Sequence, residues 1–161
     1  MMTDFDIGAH FWSNEHTNDH ARHIPLKGSA TAAQAIGATA NIGTYASLPT
    51  PLSTTLSFTS GPWVCLFILT AYVDIGANNV EVALSLDFSG ATVLAAGTNT
   101  EDRLHVNAKS PVGSTLSRSD YAFVNPGDTN IELKYASTGA ATVSDVALAV
   151  IPLRHQIGAG L

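Results

Sequence analysis

The sequence predicts an all-β fold, an antiparallel β-sandwich built from residue 52 onward. From Val80 to Phe88, apolar residues alternate with small or charged ones, which is the pattern of a strand with one buried face. Short runs of the same kind recur as far as residue 153. Clusters of Gly, Pro, Asn, Asp and Ser separate them, as turns separate strands. The pattern indicates a body that presents surfaces rather than a pocket of catalytic groups.

The first two strands of the body are predicted on either side of a Gly61-Pro62 break. Leu52–Thr59 precedes the break, and Trp63–Val73 follows it with apolar residues at both odd and even positions. The second run is too short for a transmembrane helix, which needs about 20 residues. A strand that is apolar on both sides must be covered on both sides. We expect one side to face the core and the other to be a subunit interface or to lie under the N-terminal arm. The predicted interface residues are Trp63, Phe67, Ile68 and Tyr72.

The middle of the chain is predicted to hold a hairpin, a further strand and two polar loops. The hairpin joins Val80–Phe88 to a second strand through a Ser89-Gly90 turn. The further strand alternates between apolar and hydrophilic residues, and the loops are rich in Ser, Gly and charged residues. In order, the segments after the turn are the strand Ala91–Ala96, the loop Gly97–Asp102, the strand Arg103–Lys109 and the loop Pro111–Asp120.

The last part of the chain alternates strands with tight turns. Asn125-Pro126-Gly127-Asp128 predicts a turn, since Pro presets φ at the second position and Gly accepts positive φ at the third. The strands are Tyr121–Val124, Asn130–Tyr135 and, after a turn at Ser137–Gly139, Thr142–Pro152. Many short strands with such turns predict a jelly roll or a closely related sandwich.

Residues 1–51 differ in character from the body and predict an extended N-terminal arm. They show no sustained periodicity, and glycines and prolines after residue 36 prevent a long helix. Disordered segments are poor in aromatic residues, so Phe5, Phe11 and Trp12 indicate that the arm packs on a partner. The predicted organisation is an anchoring arm (1–51), a sandwich (52–153) and a short C-terminal tail (154–161).

Composition indicates assembly and argues against nucleic acid as a partner. The chain is 45% hydrophobic and only 12% charged, whereas ordinary domains carry about 25% charged residues. A surface of small, weakly charged residues suits a protein covered by copies of itself or by a larger assembly, although a plain secreted β-domain could look similar. The net charge is −6, and the seven Lys and Arg residues are scattered, which opposes phosphate binding.

The single cysteine and the first residues bear on the cellular compartment. Cys65 lies in the apolar run and has no second cysteine to pair with, so we expect an inert core thiol. The first residues lack the basic and apolar regions of a signal peptide, which predicts synthesis in a cytoplasm.

No catalytic constellation is found in the sequence. It has no Gly-x-Ser-x-Gly elbow, phosphate-binding Gly-rich loop, His-Glu-x-x-His or Cys-x-x-Cys. Glu101 and Asp102 are adjacent and would point to opposite faces of a strand, so a solvated turn is the better interpretation. We therefore expect a non-enzymatic protein that needs no cofactor.

Three histidines raise the one metal hypothesis. His16, His20 and His23 would share one face of a helix and could hold Zn or Ni. Asn14, Thr17 and Asn18 are poor helix formers, however, so a polar arm without a metal is the preferred interpretation.

The pattern of turns and strands from Leu52 to Leu153 resembles the jelly-roll domains of tailed-bacteriophage virion proteins. The similar features are Gly61-Pro62-Trp63-Val64 before a long apolar strand, the turn at Asn125–Asp128, the strand Ile131–Tyr135, the turn at Ser137–Gly139 and the ending Val146–Leu153. Complement-like and tumour-necrosis-factor-like trimers share this pattern. The resemblance implies trimeric packing, no catalytic residues and a role as a head decoration, head fibre or minor tail component.

The leading hypothesis is a structural protein of a phage virion, made in the host cytoplasm, whose sandwich forms a homo-oligomer, a trimer in particular. Its predicted partners are the major capsid or tail proteins, bound through the arm, with no membrane and no nucleic acid. The alternative is a carbohydrate- or receptor-binding module that would use the two polar loops. Those loops lack the aromatic residues that stack on sugar rings.

Overall fold

In the computed structural model, which describes residues 31–59, 63–92, 96, 106–108 and 113–155, two antiparallel sheets pack around one core. Within these ranges no segment is helical, and no helix has the length and apolar character to cross a membrane. The strands are β1 (Gln34–Ile36), β2 (Ala46–Ser47), β3 (Ser53–Phe58), β4 (Trp63–Asp74), β5 (Val82–Gly90), β6 (Val106–Ala108), β7 (Ser114–Val124), β8 (Gly127–Ser137) and β9 (Ala141–His155).

The strand order confirms the predicted antiparallel sandwich of jelly-roll type. One sheet has the order β1-β9-β4-β7, and the other has the order β2-β8-β5-β6, with β3 also paired to β8. From β3 onward the chain passes from one sheet to the other at every connection except that between β5 and β6. This winding places β4 and β8 at the centres of the two sheets, as in jelly rolls.

The inner side of β4 forms the middle of the core. Its odd-numbered residues are buried from Trp63 to Val73, and its even-numbered residues point to the other side. Phe67 packs edge-on against Phe88 of β5, with ring centroids 5.1 Å apart, and this contact joins the two sheets. At the end where β4 begins, Trp63 stacks on Phe58 at 5.4 Å. We call this the aromatic end of the sandwich.

The segment from residue 31 to residue 51 belongs to the sandwich, which corrects the predicted arm boundary at residue 51. β1 pairs with the start of β9, and Ile36, Leu48 and Leu52 are buried in the common core. The Gln34 side-chain oxygen accepts a hydrogen bond from the Thr50 amide at 2.8 Å. β1 pairs with β9 at one end of the sandwich, and we call that end the arm end. The predicted anchoring residues Phe5, Phe11 and Trp12 precede the described part of the chain.

Three further predictions are corrected in the second half of the chain. β7 starts at Ser114, within the predicted loop Pro111–Asp120, because its backbone pairs with β4 along its whole length. In the predicted strand Ala91–Ala96, the described residues are not in a strand, since residues 91 and 92 bend and residue 96 lies in a turn. β5 pairs instead with β6 and β8. Ala83 and Ser85 are fully buried, so β5 is covered on both sides rather than on one.

An irregularity in β9 keeps its outward side chains aligned with those of β4. The register shifts between Thr70 and Tyr72, where Thr70 faces Ala147 and Tyr72 faces Ser144. Asp145 is the additional residue and has φ of 48°, as at a β-bulge. Ser144 and Ala147 therefore lie on the same side of the sheet.

Replacing Ile36 by Ala should destabilise the sandwich by about 2 to 4 kcal/mol, because a buried side chain would leave a cavity. Ala35→Ser, one residue earlier on the exposed side of β1, is the matched control and should be near neutral. Urea unfolding of both variants measures the difference. Equal stability of the two would show that β1 is not part of the cooperative unit, and deletion of Met1–Ala46 would then be harmless as well.

Replacing Gly90 by Ala should destabilise the protein by roughly 1 to 3 kcal/mol, because its positive φ does not suit an L side chain. Gly90 has φ of +92°, and a Cβ there would lie 2.3 Å from the Asp128 carbonyl oxygen. Gly37→Ala is the matched control, since nothing lies within 4 Å of its Cβ position. Thermal melting of both variants tests this, and a Gly90→Ala variant as stable as the control would contradict it.

Candidate interaction surface

The outward side of the β1-β9-β4-β7 sheet exposes large apolar side chains. Four such residues are exposed in the described chain, and all lie on this side: Phe123 at 65%, Tyr121 at 54%, Ile151 at 38% and Tyr72 at 37%. We call the outward surface of β4, β7 and β9 the apolar face. The half-buried Val64, Leu66 and Ile68 form its centre. A surface of this kind marks an interaction site.

The apolar face changes character along its strands. Cross-strand neighbours on β7, β4 and β9 form five rows, in which the exposed large apolar side chains lie in the first two rows and, as Tyr72, in the last. From the aromatic end to the arm end, the rows are Phe123 with Val64 and, by backbone register, Arg154; Tyr121 with Leu66 and Ile151; Ser119 with Ile68 and Ala149; Ser117 with Thr70 and Ala147; Thr115 with Tyr72 and Ser144. The largest side chains are concentrated in the first two rows. We call Val64, Leu66, Tyr121, Phe123 and Ile151 the apolar cluster.

The outward side of the other sheet is polar, and its groups bind one another. We call the outward surface of β3, β5 and β8 the polar face. The Thr55 hydroxyl donates to the Asn130 side-chain oxygen at 2.9 Å, and the Ser57 hydroxyl donates to Asp128 at 2.6 Å. The Lys134 ammonium forms an ion pair with Glu132 at 2.9 Å. Because these side chains already form hydrogen bonds or ion pairs with one another, the polar face is suited to remain in contact with solvent.

A shallow groove crosses the polar face between β3, β8 and β5. It is lined by hydroxyl, amide and carboxylate side chains, which are those of Ser53, Thr55, Asp87, Ser89, Asn130 and Glu132. Partial burial raises the pKa of Glu132, but hydrogen bonds from Ser47 and Lys134 and the Lys134 charge outweigh this and hold its pKa below the usual value. Glu132 therefore stays ionised at neutral pH, and none of the described residues that line the groove is aromatic.

The β7 edge of the β1-β9-β4-β7 sheet is poorly suited to pairing with another chain. β7 is an edge strand, and its inward row includes the half-buried charged residues Arg118 and Asp120. Inward-pointing charges of this kind discourage edge-to-edge pairing. At the other edge, β1 pairs only with Ala141–Val143, so among the described strands the rest of β9 is paired with β4 alone.

The structure separates the four predicted interface residues into two pairs. Ile68 and Tyr72 lie on the apolar face, where a neighbouring subunit could cover them. Trp63 and Phe67 are at most 1% exposed and fill the core. Their prediction as interface residues is corrected, because side chains alternate across a strand and these two point inward.

Sequence reasoning missed the most exposed members of the apolar face. The sequence predicts strands over Tyr121–Val124 and Thr142–Pro152, but it does not single out Tyr121, Phe123 or Ile151 as contact residues. The sequence signal that identifies them is the alternation of odd- and even-numbered residues along the strand. Ala122 and Val124 alternate with Tyr121 and Phe123, so a core on one side of β7 leaves two aromatic rings on the other.

Other predicted residues carry no site in the described chain. Cys65 is fully buried, and burial raises its thiol pKa to about 12, as expected for an inert core group. His16, His20 and His23 lie outside the described residues. Elsewhere in the described ranges, no group of three or more His, Cys, Asp or Glu side chains is placed to hold a metal ion.

No protein-family model and no curated protein sequence matches this chain. Its structure is similar to jelly-roll β-sandwiches at low sequence identity. The Eiger TNF of S. frugiperda is 11% identical with a TM-score of 0.45, over 88% of this chain and 94% of that one. The globular domain of the zebrafish complement 1qA protein is 10% identical with a TM-score of 0.41, over 77% and 97%. CBM35 of Cellvibrio japonicus Abf62 is 10% identical with a TM-score of 0.35, over 81% and 97%.

Aspartate substitutions should distinguish the two sides of β4. Phe67→Asp should unfold the protein, because an unpaired buried carboxylate costs several kcal/mol. Ile68→Asp should leave the fold intact and weaken self-association, since Ile68 is half-buried on the apolar face. Circular dichroism and size-exclusion chromatography measure the two effects. An unfolded Ile68→Asp variant beside a folded Phe67→Asp variant would reverse the assignment of the two sides.

Proposed function

We propose that this protein is a non-enzymatic structural component of a phage virion, a capsid decoration, minor capsid or tail protein. Its sandwiches oligomerise through the apolar face, and the arm attaches the oligomer to major capsid or tail proteins. The observation that carries the proposal is the position of the four exposed large apolar side chains on one face. Ile68 and Tyr72 are the contact residues on that face that the sequence predicts, and the apolar cluster extends the contact to the aromatic end.

A second copy of this chain suits the apolar face. Its middle rows carry small side chains, Ser117, Ser119, Ala147 and Ala149, which let another sheet approach closely. Two sheets pack face to face at about 10 Å when their side chains interdigitate. Covering Tyr121 and Phe123 would each contribute up to about 1.5 to 3 kcal/mol. The low content of charged residues, 12%, also fits a protein that binds its own copies.

The size of the apolar face supports a trimer over a dimer. Three strands and five rows cover roughly 14 Å by 33 Å, or about 450 to 500 Å². Stable interfaces bury about 800 Å² on each partner. Three copies around an axis would bury the β7 and β9 margins as well as the face, which brings the contact closer to that value.

The virion part of the proposal rests on the resemblance of the turns and strands from Leu52 to Leu153 and on the aromatic residues of the arm. With residues 31–51 in the sandwich, the arm is shortened to residues 1–30. It retains the predicted anchors Phe5, Phe11 and Trp12. Imaging of the protein on the particle that carries it would locate it on the head or the tail.

The second candidate is a carbohydrate-binding module, and the groove on the polar face favours it. Carboxylate, amide and hydroxyl groups are suited to binding sugar hydroxyls. The described lining of the groove comes from β3, β5 and β8 and includes no residue of the two loops that the sequence suggested for this role. The candidate ranks second because groove residues already bind neighbouring side chains and none of the described lining residues offers a ring for stacking on a sugar.

The double variant Tyr121→Asp, Phe123→Asp should be a folded monomer, because both side chains are largely exposed in the single chain and would be buried in the oligomer. Analytical ultracentrifugation should give a trimer of about 50 kDa for the wild type, three times the 16.8 kDa chain. Thr55→Asp on the polar face is the matched control and should remain trimeric. The double variant should also fail to incorporate into particles.

A wild-type monomer at micromolar concentration would contradict the proposal. Retention of that monomer on a polysaccharide column, lost in an Asn130→Ala variant, would favour the carbohydrate-binding candidate instead.

A further inference from the structure

We propose that Thr92 is a positioning residue for the apolar face, because its hydroxyl holds the end of β7 and thereby holds the Phe123 ring ready for a neighbouring copy. Thr92 follows β5, which belongs to the other sheet, and it is buried. The inference rests on the proposed oligomerisation. It adds a residue outside the apolar face on which the strength of the contact depends.

The end of β7 is the part of the apolar face that has the least support from strand pairing. Phe123 is the most exposed large apolar side chain in the described chain. β7 ends one residue later, at Val124, and among the described strands its last residues pair with β4 alone. The end of an edge strand opens easily, because few hydrogen bonds hold it. A Phe123 ring on a frayed end would have to be ordered when a second copy binds, and this ordering would weaken association.

The Thr92 hydroxyl supplies the support that pairing does not give. It donates to the Phe123 carbonyl oxygen at 3.1 Å and accepts from the Asn125 amide at 3.2 Å. These two backbone groups flank Val124, so one side chain forms both of the hydrogen bonds that a neighbouring strand would supply there. Because Thr92 is buried, loss of its hydroxyl would leave both backbone groups without a partner.

The segment that carries Thr92 is itself fixed to the turn between β7 and β8. The Ala91 amide donates to the Asp128 carbonyl oxygen at 2.9 Å, and the Asn125 side-chain amide donates to the Ala91 carbonyl oxygen at 3.1 Å. These bonds set the position of the Thr92 hydroxyl through the backbone. The Phe123 backbone is therefore held by a group that is already ordered in the single chain.

Thr39 offers a matched control at the arm end. Its hydroxyl donates to the Asn41 carbonyl oxygen at 2.8 Å and to the Ser137 carbonyl oxygen at 3.2 Å, and it accepts from the Ser137 amide at 3.1 Å. Like Thr92, it follows a strand of one sheet and bonds to the end of a strand of the other. Ser137 ends β8, which lies in the sheet without the apolar face. Loss of this hydroxyl therefore affects stability without affecting Phe123.

Sedimentation equilibrium of the full-length Thr92→Val variant tests the inference, because valine keeps the shape of the side chain and lacks the hydroxyl. The variant should fold and associate about three- to tenfold more weakly than the wild type, as expected for the loss of one or two hydrogen bonds. Thr92→Ser retains the hydroxyl and should restore association. Thr39→Val should lower the melting temperature and leave association unchanged.

A double-mutant cycle with Phe123→Ala shows whether Thr92 acts through Phe123. Phe123→Ala alone should weaken association, and adding Thr92→Val to it should have no further effect. Three results would overturn the inference: wild-type association of Thr92→Val, equal weakening by Thr92→Val with and without the Phe123 ring, or equal weakening by Thr39→Val. Each would leave the proposed oligomerisation standing, whereas a monomeric wild type would overturn both.

If Thr92→Val does not fold, Asn125→Ala replaces it in the cycle. This substitution removes the hydrogen bond to the Ala91 carbonyl oxygen at an exposed position and leaves the Thr92 hydroxyl in place. Weaker association that disappears in the Phe123→Ala background would support the inference. Unchanged association would overturn it.

Discussion

Both sides of β4 are apolar and must be covered by other residues, and the rest of the structure depends on this constraint. β4 lies between β9 and β7, and its residues from Trp63 to Ile68 are apolar on both sides. The inner side is satisfied within the chain, where Phe67 meets Phe88 of the facing sheet. The outer side is only partly covered by the neighbouring strands, so its remaining apolar area needs a partner.

The two outer faces of the sandwich therefore have different roles. On the polar face, side chains of β3 and β8 bind each other, as in the Thr55–Asn130 and Ser57–Asp128 pairs, and no further partner is required. On the apolar face, Phe123, Tyr121, Ile151 and Tyr72 keep between 37% and 65% of their surface exposed in a single chain. The half-buried charges of β7 discourage pairing at the nearby edge. Association through the face, with the polar side outward, is consistent with all three features.

The sequence predicted the elements whose pattern is local and missed those set by distant contacts. β4, β8 and β9 were predicted from alternation and from the Gly127 turn, because these signals lie within a few residues. The sequence predicts a loop where β7 starts, because Ser114 to Asp120 are mostly polar and only pairing with β4 makes them a strand. The same holds for β1, whose place depends on β9 a hundred residues later. At the candidate site, a strand that is apolar on both sides does not reveal which side faces inward, so Trp63 and Phe67 were grouped with Ile68 and Tyr72.

The most direct measurement of the central claim is the solvent exposure of the four tyrosines in the wild-type protein. Tyr72 and Tyr121 lie on the apolar face, whereas Tyr45 and Tyr135 lie elsewhere and serve as internal controls. With 3-fluorotyrosine incorporated, ¹⁹F NMR with a soluble paramagnetic probe reports each ring separately. The account predicts that Tyr72 and Tyr121 become protected from the probe as protein concentration rises, while Tyr45 and Tyr135 do not change. A Tyr121 ring that stays accessible at every concentration would contradict it.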